Sequence, residues 1–277
     1  MIPDFLVEPL VRRALEEDLG RAGDVTGGLL RADERLSARF VARAGGVVCG
    51  LQAARIACAL VDPALRFTPR VADGALLTPR AVLAEIEGPA SSVLTAERTA
   101  LNFLTHLSGI ATLTRTFVDA VAGTNARLAA TRKTLPGLRI VQKEAVVAGG
   151  GLPHRYGLDD AILIKDNHIA ACGSVGEALK RAKDAAGHMR IIEVEVDSLA
   201  QLDEALPHAP HAILLDNFSL DDLRTAVARA RGKTILEASG GVNLQSVRAI
   251  AETGVDIISV GALTHSAPSL DIGLDAD

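Results

Sequence analysis

The sequence predicts an α/β fold in two parts, and three observations carry that expectation. From about residue 126 onward, short apolar, β-rich runs alternate with polar or glycine turns and then with stretches of helical periodicity. The runs are continuously apolar, as strands covered on both faces must be, which points to parallel pairing. With 48% hydrophobic but only 3% aromatic residues, the core of this 277-residue chain must be packed by Leu, Val, Ile and Ala, which suits sheets sandwiched by helices.

The first hundred or so residues follow a different rhythm. Alternation in LSARFVARAGGVVCG and TPRAVLAEIEG, between Gly and Pro turns, predicts an antiparallel sheet beside one or two helices. A helical stretch from about Ser92 to Ala122, expected to break near Gly109, carries Ala100, Leu104 and Leu107 on one face and Arg98, Asn102 and Thr105 on another. The domain boundary is placed there, giving an N-terminal domain over 1–108, a second over 109–266, and a tail, 267–277, able to pack back on the first.

Six strands are expected in the second domain: Arg127 to Ala130, Ala161 to Ile164, Ile191 to Val196, Ala212 to Leu215, Thr234 to Ala238 and Ile257 to Val260. The later ones lie roughly 20–25 residues apart, the spacing of compact βαβ units. VGEALKRAKDAAG, SLAQLDEALPHA, SLDDLRTAVARAR and NLQSVRAIAETG between them have apolar residues three or four apart and Ser or Asn near their starts, and are expected as helices. A barrel or a doubly wound sheet satisfies this pattern; a barrel needs a further strand, expected between Leu138 and Gly151.

Composition excludes several functions. A formal net charge of -5 with no Trp and one Tyr offers neither a basic field nor stacking platforms for nucleic acid. Cys49, Cys58 and Cys172 have no metal-like spacing and are expected as reduced thiols. The N-terminal MIPDFLVEPLVRRALEEDLG lacks a basic segment followed by an apolar one, and no run of 18 apolar residues occurs. A cytoplasmic protein with neither membrane nor nucleic acid as partner is expected.

Possible chemistry follows every strand: Arg132 and Lys133, Lys165, Glu195, Asp216, the Ser239-Gly240-Gly241 turn, and Gly261. Active sites of parallel α/β folds lie at the carboxyl ends of the strands, so these scattered residues converge. Between Thr131 and His168, six Arg or Lys stand against four acids, with His154 and His168 besides. Such a cluster suits a small polyanion, although the same pattern also suits a solvated loop. Gly149-Gly150-Gly151 would let a backbone approach a ligand or form a flexible cover. Ser239-Gly240-Gly241-Val242-Asn243 opens a helix, and Gly261 with Thr264-His265-Ser266 follows the next strand; such amides can bind phosphate, or simply make tight turns. Glu195 and Asp216 end apolar strands, so they call for a cation, with Mg²⁺, Lys133 or Lys165 as candidates, or for sugar hydroxyls. Lys165 could alternatively be a Schiff-base nucleophile.

The string Thr131-Arg132-Lys133-Thr134-Leu135-Pro136-Gly137-Leu138-Arg139, followed by GGGLPHRYGLDDAILIKDNHI from Gly149 to Ile169, resembles the quinolinate phosphoribosyltransferase family. So do Glu16-Glu17-Asp18-Leu19-Gly20 with Gly23-Asp24-Val25-Thr26, Glu97-Arg98-Thr99-Ala100-Leu101-Asn102-Phe103, Glu193-Val194-Glu195-Val196-Asp197, Leu215-Asp216-Asn217, Glu237-Ala238-Ser239-Gly240-Gly241 and Val260-Gly261-Ala262-Leu263-Thr264-His265-Ser266, in family order over nearly the whole chain. The resemblance implies an N-terminal α/β sandwich joined to an open, TIM-like α/β barrel of the type II phosphoribosyltransferases. It implies a homodimer or higher homo-oligomer with shared active sites. The implied reaction takes quinolinate and 5-phosphoribosyl-1-pyrophosphate, with Mg²⁺, to nicotinate mononucleotide, pyrophosphate and CO₂.

Carried over by position, Arg132, His154, Arg155 and Lys165 resemble the quinolinate-binding group, with Arg98 contributed by a partner chain. Lys133, Glu195 and Asp216 resemble the catalytic set, with Lys133 bridging the two substrates and Glu195 and Asp216 holding the ribose hydroxyls or Mg²⁺. Ser239, Gly240, Gly241, Gly261 and His265 resemble the phosphate cradle. The sequence departs from the family pattern at Pro153, where relatives often have Asn before the His-Arg pair, and at Tyr156 after it, which implies a stiffer loop. A paralogous group associated with molybdate uptake shares Thr-Arg-Lys-Thr and the glycine run but differs around Lys165 and His168. Those two residues favour the quinolinate enzyme over that paralogue, and the completeness of the motifs favours it over a Schiff-base barrel aldolase as well.

Overall fold

The computed structural model describes residues 2–276. Its elements run, in chain order, α1 (Asp4–Leu19), β1 (Arg35–Ala42), β2 (Gly46–Val47), α2 (Leu51–Val61), β3 (Arg66–Pro69), β4 (Leu76–Leu77), β5 (Val82–Pro89) and α3 (Ala90–Ala120). Then follow β6 (Arg127–Ala129), α4 (Arg139–Ala148), β7 (Ile162–Ile164), α5 (Asp166–Cys172), α6 (Val175–Ala186), β8 (Ile192–Val196) and α7 (Leu199–Ala205). The chain ends with β9 (Ala212–Asp216), α8 (Leu220–Ala230), β10 (Ile235–Ser239), α9 (Val247–Ala251), β11 (Ile257–Ser259), α10 (Ala262–His265) and β12 (Ile272–Ala276). These elements fall into two compact units. One gathers the chain up to Arg115, Thr134–Gly150 and the chain from Leu263 onward; the other gathers Thr116–Lys133 and Gly151–Ala262.

The first unit is built on a four-stranded antiparallel sheet in the order β12-β1-β5-β3, with β2 and β4 as a separate pair. The C-terminal strand is therefore part of this sheet, Phe40 facing Leu274 across β1 and β12. The inner faces of β1 and β5 bury Phe40, Leu83 and Ile86. On α1 the apolar stripe Val7, Val11 and Leu15, spaced four apart, is buried, and α2 buries Ala53, Ala54, Ala57 and Cys58. Along α3 the sequence pattern holds: Ala100, Leu104 and Leu107 are buried, Arg98 and Asn102 exposed, and Thr105 half-buried.

The expected break at Gly109 does not occur, and α3 runs unbroken for 31 residues. The glycine serves a close approach instead. A Cβ there would lie 2.0 Å from the Pro268 carbonyl oxygen and 3.0 Å from Ser269 Cα, where the returning chain also donates from Leu270 N to Thr105 O at 3.0 Å. Gly149 acts similarly: it ends α4, and a Cβ would stand 2.4 Å from Ala111 O. The start of the 149–151 glycine run is thus a helix stop packed on α3, not a flexible cover.

The second unit is a six-stranded parallel sheet in the order β6-β11-β10-β9-β8-β7. Val194, Ile213, Leu215 and Ile258 point outward and are fully covered, as are Leu179, Leu202, Leu223 and Val247 from the helices. Ser174, Ser198 and Ser219 cap α6, α7 and α8, each accepting from the backbone N–H three residues on. The expected helix over 243–254 is reduced to α9, because Asn243 Oδ1 takes the N–H groups of Gln245 and Ser246 into a turn first. The strand expected between Leu138 and Gly151 is absent, α4 occupying that stretch. The extra pairing is a single residue, Leu152, bridged in parallel to Ala129 and accepting from Ala130 N at 2.9 Å. Among the described residues no ladder joins β7 to that edge, so the barrel is open.

Replacing Gly109 by Ala tests the close approach. Alanine ordinarily favours a helix interior over glycine by about 1 kcal/mol, but here overpacking against rigid backbone should dominate and destabilise by about 1–3 kcal/mol. Denaturant unfolding would read the sign, and a stabilised Gly109→Ala variant would contradict the packing explanation.

Candidate active site

Register decides which strand residues face the barrel interior. Glu195 and Glu237 both pair with Leu214, Glu193 pairs with Ala212 and Leu163, and Ser239 pairs with Asp216. Alternation then places Leu163 and Lys165, Glu193 and Glu195, Ala212, Leu214 and Asp216, Glu237 and Ser239, and Ile257 and Ser259 on one inner face. The carboxyl ends of these strands open into a cavity of about 410 Å³ lined by Thr131, Arg132, Lys133, His154, Arg155, Lys165, Glu195, Asp216 and Ser239, with Glu237 and Ser259 deeper in.

Eight of the residues expected from the sequence are therefore brought to one cavity: Arg132, Lys133, His154, Arg155, Lys165, Glu195, Asp216 and Ser239. Gly240 and Gly241 follow Ser239 in left-handed backbone, at φ +96° and +60°. At Gly240 the glycine is required, since a Cβ would sit 2.2 Å from Asn217 Oδ1. Asn217 itself is left-handed, donates its N–H to Ser239 O at 2.9 Å and its amide to Asp216 Oδ2 at 2.8 Å. The turns after β9 and β10 are thus knitted together, and Asp216 is aimed by its neighbour. Gly261 follows β11, one residue inside the boundary of the same unit, whereas Arg98 and His265 belong to the first unit and do not line this cavity.

The cavity is lined by cations. Burial first, and then the Arg132 guanidinium beside it, pull Arg155 below its ordinary value against the opposing charges of Glu193 and Asp160. Arg155 also donates to Ala161 O at 3.2 Å, and Arg132 Nε is buried without a hydrogen-bond partner. Lys133 follows a turn held by Thr131 Oγ1, which accepts its N–H at 3.0 Å. Lys165 is ion-paired with Glu195 across neighbouring strands, and its backbone N–H donates to His168 Nδ1 at 2.9 Å, tying the start of α5.

Below these groups lies a cluster that strand-end reasoning missed. His154 Nε2 is 3.4 Å from Glu193 Oε2 and 3.4 Å from Glu237 Oε2. Burial pushes the Glu193 carboxyl up, with His154 opposing it. For His154 burial works against the cation, yet the hydrogen bonds and charges of the two carboxylates outweigh it and raise the imidazole to about 9. Nδ1 accepts the Arg155 N–H at 2.8 Å. That contact favours the neutral ring and the carboxylates favour the cation, but in both states a proton sits on Nε2, facing the carboxylates. Ser259 Oγ is also buried without a partner. The available signal was period two: Glu193 precedes Glu195, and Glu237 precedes Ser239, by two residues on the same face.

For a divalent metal, Glu195 and Asp216 supply the right donors. They are oxygen ligands on adjacent strands at the cavity mouth, and Mg²⁺ is held by one or two carboxylates together with substrate phosphates and water. The deeper His154, Glu193 and Glu237 atoms lie within 4.8 Å of one another. Their histidine is unsuited to a metal, because Nε2 ligation leaves Nδ1 as the N–H donor where it would oppose the Arg155 N–H.

Comparison with known proteins identifies the family. The family model "Quinolinate phosphoribosyl transferase, N-terminal domain" matches residues 24–108, and the corresponding C-terminal domain matches 110–275. Over 274 residues the chain is 48% identical to nicotinate-nucleotide pyrophosphorylase [carboxylating] of Mycobacterium leprae, covering 96% of this chain and 95% of that protein. It is 42% identical over 269 residues to the probable enzyme of that name from Bacillus subtilis, covering 97% and 93%. The solved nicotinate-nucleotide pyrophosphorylase of Francisella tularensis superposes with a TM-score of 0.96 at 40% identity, covering 100% of this chain and 98% of that one. Motifs, barrel and likeness agree over the full length, and the chain belongs to the quinolinate phosphoribosyltransferase family.

Proposed function

We propose that this chain transfers the phosphoribosyl group of 5-phosphoribosyl-1-pyrophosphate to quinolinate with loss of CO₂, giving nicotinate mononucleotide and pyrophosphate for NAD biosynthesis. The observation that carries the reading is one cavity that receives two guanidiniums, Arg132 and Arg155, together with Lys133 and Lys165. Four cationic side chains lining one cavity suit a ligand with two carboxylates, and planar guanidinium suits carboxylate in bidentate pairs. Among the described residues no helix is long and apolar enough to cross a membrane.

In this reading Arg132, Arg155 and Lys165 face quinolinate, and His154 lines the floor of the same pocket. Ser239, Gly240 and Gly241 cradle the phosphate, and the family resemblance adds Gly261 and His265 to that role. Mg²⁺ held by Glu195 and Asp216 would neutralise the departing pyrophosphate. The pyridine nitrogen attacks C1 of the ribose as the C1–O bond to pyrophosphate breaks, so catalysis rests on positioning and charge. Glu195 and Asp216 favour positive charge at C1, and Lys133 reaches toward both substrates. The adjacent positive nitrogen then stabilises the electron pair left on C2 when that carboxylate departs as CO₂, and a proton takes up the pair at C2. The Lys165–Glu195 ion pair suits an anion-binding ammonium rather than the neutral amine a Schiff base needs. Arg98 is proposed to enter the site from the second copy of a homodimer or higher homo-oligomer.

Turnover should appear as CO₂ release and nicotinate mononucleotide formation from quinolinate, the sugar donor and Mg²⁺, with nicotinate giving none; a folded protein inactive on quinolinate would overturn the reading. Arg132→Ala should weaken apparent quinolinate affinity by about 2–5 kcal/mol, and a near wild-type KM would remove that residue from the pocket. Mixing Arg98→Ala with Lys133→Ala subunits should restore part of the activity. Confirmed mixed dimers without recovery would argue against shared sites.

A further inference from the structure

In the buried cluster beneath the cavity, Glu193 and Glu237 are given no role by the reaction just described. We infer that Glu193 and Glu237 are positioning residues, which clasp the Nε2–H of His154 between them and thereby fix the 153–155 segment so that Arg155 faces quinolinate. The inference rests on the quinolinate reading of the site.

The geometry is that of a barrel layer. Glu193 stands on β8 and Glu237 on β10, with β9 between them, and side chains from alternate strands share a layer inside a parallel barrel. Over β9 the residues in register with them are Ala212 and Leu214, neither of which can answer a charge. Both carboxylates are enclosed, at 7% and 2% exposure. Glu237 Oε1 has no hydrogen-bond partner, so this buried charge is answered through Oε2 and His154 at 3.4 Å. Two carboxylates in one buried layer are costly unless something between them donates, and the imidazole Nε2–H stands there.

His154 is held in an unfavourable backbone conformation, φ +53°, with no glycine to relieve it. Such a residue persists where surrounding contacts over-determine it. Here the contacts are the two carboxylates at Nε2 and the Arg155 N–H at Nδ1. With Nε2 turned to the two carboxylates and Nδ1 to the Arg155 backbone, neither ring nitrogen of His154 is aimed at a substrate carboxylate. It acts on Arg155, whose backbone it accepts from and whose side chain lines the cavity. Quinolinate affinity should then depend on two glutamates that never touch it.

The test starts from wild-type enzyme, since absence of turnover would defeat the functional reading itself. In active enzyme, Glu237→Ala should raise the quinolinate KM roughly 10- to 100-fold while the sugar-donor KM moves by less than about twofold. Glu237→Gln, which keeps an acceptor oxygen, should recover most of the loss. A purely structural role would lower the melting temperature and active fraction without separating the two KM values. A folded Glu237→Ala variant with an unchanged quinolinate KM would overturn the inference. Should that variant not fold, ¹⁵N-histidine NMR of the wild-type protein decides the clasp independently of turnover: a proton on Nε2 is expected, and a neutral ring protonated only at Nδ1 would overturn it.

Discussion

An ionised group on the inner face of a parallel barrel must find its partner inside the barrel, and the second unit is arranged around that demand. Its inner face carries Glu193, Glu195, Asp216 and Glu237 on adjoining strands. Left unpaired, each would carry a desolvation penalty of several kcal/mol. Glu195 is met by Lys165, Asp216 by the Asn217 amide, and Glu193 and Glu237 by His154. The acids are thereby graded by depth. Those at the mouth retain exposure and oxygen ligands for a metal or sugar, while those at the floor are committed to the protein.

The surplus of positive charge follows from the same arrangement. With the floor carboxylates shared over His154 and Glu195 engaged by Lys165, Arg132 and Arg155 line the same cavity, where the Arg132 charge works against Arg155 and the charges of Glu193 and Asp160 work for it. Arg155 is held in place by its guanidinium, which donates to Ala161 O, and by its backbone N–H, which donates to His154 Nδ1. Preorganised charge of this kind costs no rearrangement when an anion arrives.

Much of this was legible in the sequence because it is local. The strand expected over Ile191 to Val196 is β8, Ile192–Val196, and that over Ala212 to Leu215 is β9, Ala212–Asp216. Apolar runs bounded by serine caps fix such elements without reference to the rest of the chain. The strand ends also pointed to Arg132, Lys165, Glu195 and Asp216, which do share a cavity. What was not legible depends on partners distant in sequence. Gly109 reads as a helix breaker until the Pro268 carbonyl is found against it. The roles of Glu193 and Glu237 require knowing that β9 separates their strands. Leu152 extends the sheet by one residue, too short a stretch to carry any period.

The most direct test of this account is a crystal structure of the protein with quinolinate bound. It should place both carboxylates against Arg132 and Arg155 in the cavity above His154, with the His154 ring still clasped between Glu193 and Glu237. Quinolinate bound away from those two guanidiniums, or a His154 ring turned from the glutamates to the ligand, would contradict it.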